Sequence, residues 1–253
     1  MISDTDGHMT SAAVLPSFPV YNRTCLPLPD EDLNKGAVFL VDKPSEWSSF
    51  DVVKFLRNRI RVRKTGHAGT LDPLATGLLI LCAGKATKSI TTFQDYAKRY
   101  RATITFGNST PSHDAATKPD GQAPVDHLNE ARIQRVLENQ FQGRISQIPP
   151  MYSALWKDGK RLYKYARKGK VVEREPREIE IYETSILKFH YNNLDLDVLC
   201  SKGTYIRQLA HDLGLALGTL AYLSDLRRTA IGIFKVEDAM TIDQIRPLSQ
   251  HDS

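Results

Sequence analysis

Three cysteines in 253 residues are too few and too scattered for a disulfide framework. Cys25, Cys82 and Cys200 form no CxxC pair and have no close histidine partners, so a structural zinc site is not expected either. A reducing cytoplasm is the natural setting for such a chain. Apolar runs are short, and none approaches the roughly 20 residues that a membrane helix needs. The N-terminus lacks a charged start leading into an apolar stretch, so no secretory signal is read there. The spacing GxxxxGK[ST] is also missing, and Gly84-Lys85-Ala86-Thr87-Lys88 is therefore not a P-loop. His113 and His127 have no partners at metal-ligand spacing and read as surface residues.

The most informative scarcity is of acid. Between Asp51 and Asp95 the one carboxylate is Asp72, in a span that holds Lys54, Arg57, Arg59, Arg61, Arg63, Lys64, Lys85 and Lys88. Asp72 sits inside Thr65-Gly66-His67-Ala68-Gly69-Thr70-Leu71-Asp72-Pro73-Leu74-Ala75-Thr76-Gly77, a loop punctuated by glycine. A carboxylate among cations suits chemistry on a phosphate-rich substrate. Asp followed by Pro is also an ordinary type I turn, and the local residues leave both readings open.

Net charge is +5, but its distribution says more than its size. Residues 157 to 177 carry nine basic side chains against Asp158, Glu173 and Glu175, a local balance of +6. With Tyr163 and Tyr165 interleaved, this block and the one before Asp72 point toward nucleic acid.

Residues 1–35, with Pro16, Pro19, Pro27 and Pro29, read as an irregular leader. Ala37 to Val41 reads as a buried strand. Ser48 and Asp51 spell a capping box, after which Val52, Val53, Leu56 and Ile60 share one helical face and Lys54, Arg57 and Arg61 the other. Tyr100, Ala102, Ile104 and Phe106 alternate along a strand. Asp126 is expected to cap a helix carrying Leu128, Ile133, Val136, Leu137 and Phe141. Residues 179–189 and 194–200 read as two strands turned at Asn192-Asn193, with Asp195 and Asp197 on a solvent face. Thr204 is a candidate cap for a helix whose buried stripe is Ile206, Leu209, Ala210, Leu213 and Leu217. Arg207, in its first turn, opposes the helix dipole and hints at an anionic partner. Arg227 and Arg228 precede a last strand over Ile231 to Val236. The sum is an α+β domain around a mixed, mostly antiparallel sheet flanked by helices.

Gly66 to Gly77 closely resembles the signature loop of the TruB family of pseudouridine synthases, which modify the T-arm of tRNA. Asp42-Lys43-Pro44, Lys98-Arg99-Tyr100, Ile148-Pro149-Pro150-Met151-Tyr152-Ser153-Ala154 and Cys200 to Arg207 fit the same family in the same order. The resemblance implies the pseudouridine synthase fold over residues 36–245, an RNA-gripping insertion at about 148–177 and a tail at 246–253. It implies catalytic roles for Asp72, Tyr100 and Arg207: Asp72 as the reacting carboxylate, Tyr100 stacking on the base, and Arg207 pairing with Asp72. It further implies that His67 meets the RNA, that Tyr205 and Leu226 help form the base pocket, and that Lys43 and Pro44 support it. Lys64, Lys157, Lys160, Arg161, Lys164 and Arg167 are the expected RNA contacts.

The implied partner is the T-arm of tRNA, modified at position 55, by a monomer with no cofactor, no metal and no obligate protein partner. Little sequence follows Ile245, so the PUA domain that many members carry is not expected. Two further readings are a noncatalytic RNA-binding or RNA-folding module on the same scaffold, and a hydrolytic glycosidase. The second typically needs two carboxylates across the bond, where the central stretch offers one.

Overall fold

The run Ala37 to Val41 shows no alternation because both of its sides are buried. In the computed structural model, which describes residues 17–26, 32–153, 155–157, 159–166 and 168–249, the strand Ala37–Lys43 pairs antiparallel with Thr76–Ala83. Phe39, Val41, Leu79 and Leu81 pack on one face with Val52, Val53 and Leu56. Val38, Leu40, Leu78 and Ile80 pack on the other with Phe93, Ile231 and Phe234. Strands covered on both faces read as unbroken hydrophobic runs.

These elements belong to the first of two units into which the chain divides, Met1–Tyr100 with Arg227–Ser253; the second is Arg101–Leu226. In the first unit Thr65–His67 pairs antiparallel with Leu81–Ala83, and Arg227 and Arg228 pair parallel with Thr76 and Gly77. Residues 1–16 and 27–31 of the leader lie outside the described residues; the rest of it is less irregular than expected. Val20–Tyr21 adds a parallel strand beside Val38 and Phe39, and the Tyr21 ring stacks on Phe39 at 5.1 Å. Two-residue pairing of this kind is set by a distant partner and leaves no local periodicity to read. The helix Ser49–Ile60 opens with the expected capping box, Ser48 and Asp51 each bonding the other's backbone, and buries Val52, Val53 and Leu56.

In the second unit Arg177–His190 pairs antiparallel with Asn193–Cys200 and, along its first residues, with Gly143–Gln147. Leu194, Leu196, Val198 and Cys200 are buried, and Asp195 accepts from the Thr103 hydroxyl at 2.7 Å. The expected alternation therefore holds, and the strand is a mixed surface rather than a paired-carboxylate site. The turn is Tyr191-Asn192, one residue earlier than read, because Asn192 is tied to Phe106 through both its backbone carbonyl and its side-chain amide.

Two helix caps differ from expectation. The helix Glu130–Gln140 is capped by Asn129, not Asp126, since a turn from Val125 to Leu128 intervenes. The helix Ile206–Ala216 starts after Tyr205, and Thr204 instead donates its hydroxyl to the Ser201 carbonyl at 3.0 Å. Its stripe is as read, with Ile206, Leu209, Ala210, Leu213 and Leu217 all buried. Arg227 and Arg228 lie inside the strand Ala221–Ile231, and the last strand expected over Ile231 to Val236 is only Phe234–Lys235, which folds back on Ala230 and Ile231 before a helical turn over Val236–Asp238. The mixed sheet with flanking helices is the α+β architecture the sequence suggested.

Candidate active site

Asp72 is held where it is by bonds to its neighbours' backbones, all within the first unit. Ala75 N–H donates to the Asp72 carbonyl at 3.1 Å, so Asp72-Pro73-Leu74-Ala75 is the turn that the Asp-Pro pair announced. On the ascending side the Ser49 hydroxyl, at the start of the basic helix, both accepts from Leu71 N–H at 2.9 Å and donates to its carbonyl at 3.1 Å. At the tip, Glu46 N–H donates to the Pro73 carbonyl at 2.8 Å and the Ser45 hydroxyl to that of Leu74 at 3.2 Å. Asp72 itself is half-buried between exposed Pro73 and buried Leu71.

Lys43 fastens the same turn from below. It is fully buried, and its Nζ donates to the carbonyls of Pro44 at 2.8 Å, Trp47 at 2.6 Å and Pro73 at 3.0 Å. Burial pushes its pKa down to about 8, against the attraction of Asp72, and the Arg228 charge adds to the fall. The Lys43 ammonium thus sits buried among three carbonyls, that of Pro44 among them, beside the candidate catalytic carboxylate.

His67 is half-buried in the short strand that enters the loop, and its Nδ1 is buried with no hydrogen-bond partner. Burial, then the Arg228 charge, lowers its pKa, so the ring is neutral at physiological pH. Tyr100 lies on the apolar side of the strand Lys98–Phe106 and is 8% exposed. Lys64 is exposed at the loop's entrance.

Arg228 was missed by sequence reasoning as anything beyond half of a basic pair. Its guanidinium is fully buried and donates to the carbonyls of Leu78 at 2.8 Å, Gly69 at 3.3 Å and Thr70 at 3.5 Å. The readable signal was phase: Arg228 is two residues from buried Leu226, on the same side of the strand. Arg227 faces the other way and grips Asp42 through two bonds of 3.0 and 2.7 Å.

The second unit holds the remaining expected residues. Arg207 is 4% exposed and donates to the Ser112 carbonyl at 3.0 Å and the Tyr152 carbonyl at 2.9 Å. Its Nε lies 3.5 Å from Asp114 Oδ2, which supplies the anionic partner that an arginine in a helix's first turn suggested. Asp114 went unnoticed because nothing in its loop marks it apart from other polar residues there. Its carboxylate is oriented in turn by the Ser112 hydroxyl and by Ala116 N–H.

His113 is not the free surface residue expected. Its ring stacks on His211 at 4.0 Å, nearly parallel, and burial followed by the charges of His211 and Arg207 pulls its pKa down to about 4. His127 is exposed, as read, with its Nε2 at 3.0 Å from the Leu217 carbonyl. Tyr205 exchanges two hydrogen bonds with the Gln147 amide, 2.9 and 3.1 Å, which fixes its backbone at the helix start. Leu226 is 9% exposed.

The basic insertion contains a hairpin, Trp156–Lys157 against Lys160–Arg161, followed by the helix Leu162–Ala166. The Arg161 guanidinium covers the exposed Trp156 ring at 4.6 Å. Lys160, Tyr163, Lys164, Tyr165, Lys168 and Lys170 line a cavity of about 470 Å³. Lys160 and Lys164 are exposed, Lys157 half-buried, and Arg167 lies outside the described residues. Among the described residues no cluster of His, Cys, Asp or Glu could hold a metal ion, and no helix is long and apolar enough to cross a membrane.

Residues 57–206 match a model described as the N-terminal domain of TruB family pseudouridylate synthases. Residues 207–252 match the C-terminal domain of tRNA pseudouridylate synthase B. The chain is 47% identical over 219 residues to the tRNA pseudouridine synthase B of Flavobacterium johnsoniae, covering 84% of this chain and 95% of that one. It is 47% identical over 214 residues to the protein of the same name from Bordetella avium, covering 84% and 87%. Among solved structures it resembles a chain of a Cbf5-Nop10-Gar1 complex, with 31% identity and a TM-score of 0.63 over 81% of this chain and 53% of that one. It also resembles a chain of an H/ACA RNP bound to a substrate RNA containing 2′-deoxyuridine, at 27% identity and a TM-score of 0.62, covering 83% and 52%. This chain spans about half the length of those two.

Proposed function

Because the chain belongs to the TruB family of pseudouridine synthases, we propose that it isomerises a uridine in the T-arm of tRNA, at position 55, with Asp72 as the catalytic carboxylate. The enzyme class follows from the family: an isomerase that makes pseudouridine in tRNA. The observation that carries the assignment of Asp72 is its turn, fixed through the backbones of Leu71, Pro73 and Leu74 while its own side chain stays half-open to solvent.

The chemistry asks for little else. The N1–C1′ bond of the uridine breaks, the uracil turns, and a C5–C1′ bond forms; C5 loses a proton and N1 gains one. Nothing is oxidised or reduced, so no cofactor is needed. Asp72 serves either as nucleophile at the sugar or as base at its 2′ carbon. The uridine must first leave its stack, at a cost of about a few kcal/mol, and Tyr100 offsets part of that by stacking on the base. Neutral His67 meets the RNA as a hydrogen-bonding ring rather than a charge. Lys43 and Pro44 support the turn, while Tyr205 and Leu226 wall the base. The pairing of Arg207 with Asp72 is carried by the resemblance; the bonds of Arg207 to Ser112, Tyr152 and Asp114 support a role in which its orientation matters.

Lys64, Lys157, Lys160, Arg161 and Lys164 take phosphates, with Arg167 assigned to the same task by position. The lysine- and tyrosine-lined cavity supports this role, since it offers both charge and aromatic faces to RNA. The enzyme acts as a cytoplasmic monomer. The test is to incubate unmodified tRNA with wild-type and Asp72→Asn protein and map pseudouridine. The variant is expected to lose about a thousandfold or more in rate, of the order seen when a reacting group is removed. Wild-type rates from the variant would remove Asp72 from the mechanism. Free uracil as product would mean a glycosidase, and an inert wild-type protein that still binds tRNA would mean a noncatalytic module.

A further inference from the structure

We infer that Arg228 is a positioning residue for this reaction: its guanidinium clasps the two limbs of the Asp72 loop at their neck and so sets where the carboxylate stands. The inference rests on the assignment of Asp72 above. Its acceptors come from both limbs, Gly69 and Thr70 before Asp72 and Leu78 after it. Each carbonyl is met by a different nitrogen, Nη2, Nη1 and Nε, as only a planar fork can arrange. Lys43 also holds three carbonyls, but from one atom and at the tip. Tip and neck are thus fastened separately.

The backbones interlock at the same place. Arg228 pairs in register with Gly77, whose φ is +102°, and a Cβ there would come within 2.3 Å of the Arg228 carbonyl oxygen. The descending limb therefore lies directly against the strand that carries the clasp.

Stability alone does not account for this side chain. Among the described residues no carboxylate lies within ion-pair reach of it, whereas its neighbour Arg227 has Asp42. A guanidinium buried without a counter-ion is costly, and an apolar side chain of similar length would fill the space at less expense. Its charge also bears on His67 and on Lys43, both cations when protonated. A costly cation kept at the neck of a catalytic loop is explained by what its fork fixes, because small misplacements of a reacting group cost large factors in rate.

The experiment compares Arg228→Lys and Arg228→Met with wild type by single-turnover pseudouridine formation, tRNA affinity, melting temperature and hydrogen exchange. Arg228→Lys keeps the charge and loses the fork. It is expected to lower the rate about tenfold to a hundredfold, with tRNA affinity within about threefold. Exchange should speed up at Leu71, whose amide bonds the Ser49 hydroxyl, and at Ala75, whose amide bonds the Asp72 carbonyl, and stay slow at Val53 in the helix. Arg228→Met, which also loses the charge, should in addition raise the pKa of His67 above that in Arg228→Lys. An unchanged rate in a folded Arg228→Lys protein overturns the proposal, as does a rate loss matched by uniform loss of protection. Hydrogen exchange needs no substrate, so it reads the clasp even if tRNA proves not to be the substrate.

Discussion

Lysine does opposite work in the Asp72 loop and in the basic insertion. Lys43 is fully buried, spends its three N–H groups on carbonyls and has a pKa of about 8. Lys160, Lys164, Lys168 and Lys170 are exposed around an open cavity. The buried cation ties down the Asp72 turn through the Pro73 carbonyl, whereas the exposed ones form a field of charge to which the proposed function assigns RNA phosphates. Loss of the first should alter the rate of the chemical step, and loss of the second the grip on RNA. The division is sharp enough to test.

Between the two regions the larger effect is expected from Lys43→Met, which fits the same space without a donor. The chemical step should slow about tenfold to a hundredfold with tRNA affinity nearly unchanged, since a loop no longer fixed at its tip misplaces Asp72. The wild-type rate should also decline above pH about 8, as Lys43 loses its proton, and the variant should lack that decline. The folded pKa lies below the usual value, so the burial penalty is complete below about 8 and is relieved as pH rises toward the unfolded value. Stability from this group therefore rises over the range in which activity falls. A variant that loses affinity instead of rate would break the division.

A smaller effect is expected from replacing Lys160, Arg161 and Lys164 together by glutamine. Affinity for tRNA should weaken about tenfold at moderate salt, and the slope of log K against log salt should shrink by about two units, at roughly 0.7 per lost contact with single-stranded RNA. The single-turnover rate at saturating tRNA should hold. An unchanged slope would remove the insertion from the grip.

The smallest effect concerns His113, in the second unit and half-buried where Lys43 is fully buried. Its folded pKa of about 4 lies below the ordinary histidine value, so the unfolded chain takes up a proton first as pH falls. Stability is complete above about pH 6.5 and is lost toward pH 4, by up to about 3 kcal/mol. His113→Gln should flatten that decline by about 5 °C in melting temperature between pH 7 and pH 4.5. An equal decline in both proteins would assign the acid sensitivity elsewhere.

What the sequence disclosed was what local chemistry determines. Ser48 and Asp51 announced a helix start because both halves of the capping box lie within four residues. Asp72-Pro73 announced a turn, and the alternation from Tyr100 to Phe106 announced a buried strand face. What it concealed depends on partners far along the chain. Val20–Tyr21 is a strand only because Val38 and Phe39 lie beside it. Gly143–Gln147, with one isoleucine, becomes a strand against Arg177–Ile181. Arg228 and Asp114 carried no local mark, because burial of an ion is decided by carbonyls and counter-ions that adjacent residues do not reveal. Composition gave the basic field around Asp72, whereas the roles of Tyr100, Arg207 and Lys43 came from family likeness.

The order in which the chain is synthesised gives Arg228 another meaning. The second unit is one continuous segment, whereas the first is split and waits for residues from Arg227 onward. Domains generally fold as units while the ribosome is still extending the chain. The second unit is therefore made without interruption, whereas the first cannot be completed until synthesis has passed Leu226 in the strand Ala221–Ile231. Arg228 follows its acceptor at Thr70 by 158 residues. Until it appears, the neck of the Asp72 loop has no clasp, and the nascent protein carries its candidate catalytic carboxylate without its full set of fastenings. Fastening of the candidate site thereby waits for Arg228 to be made.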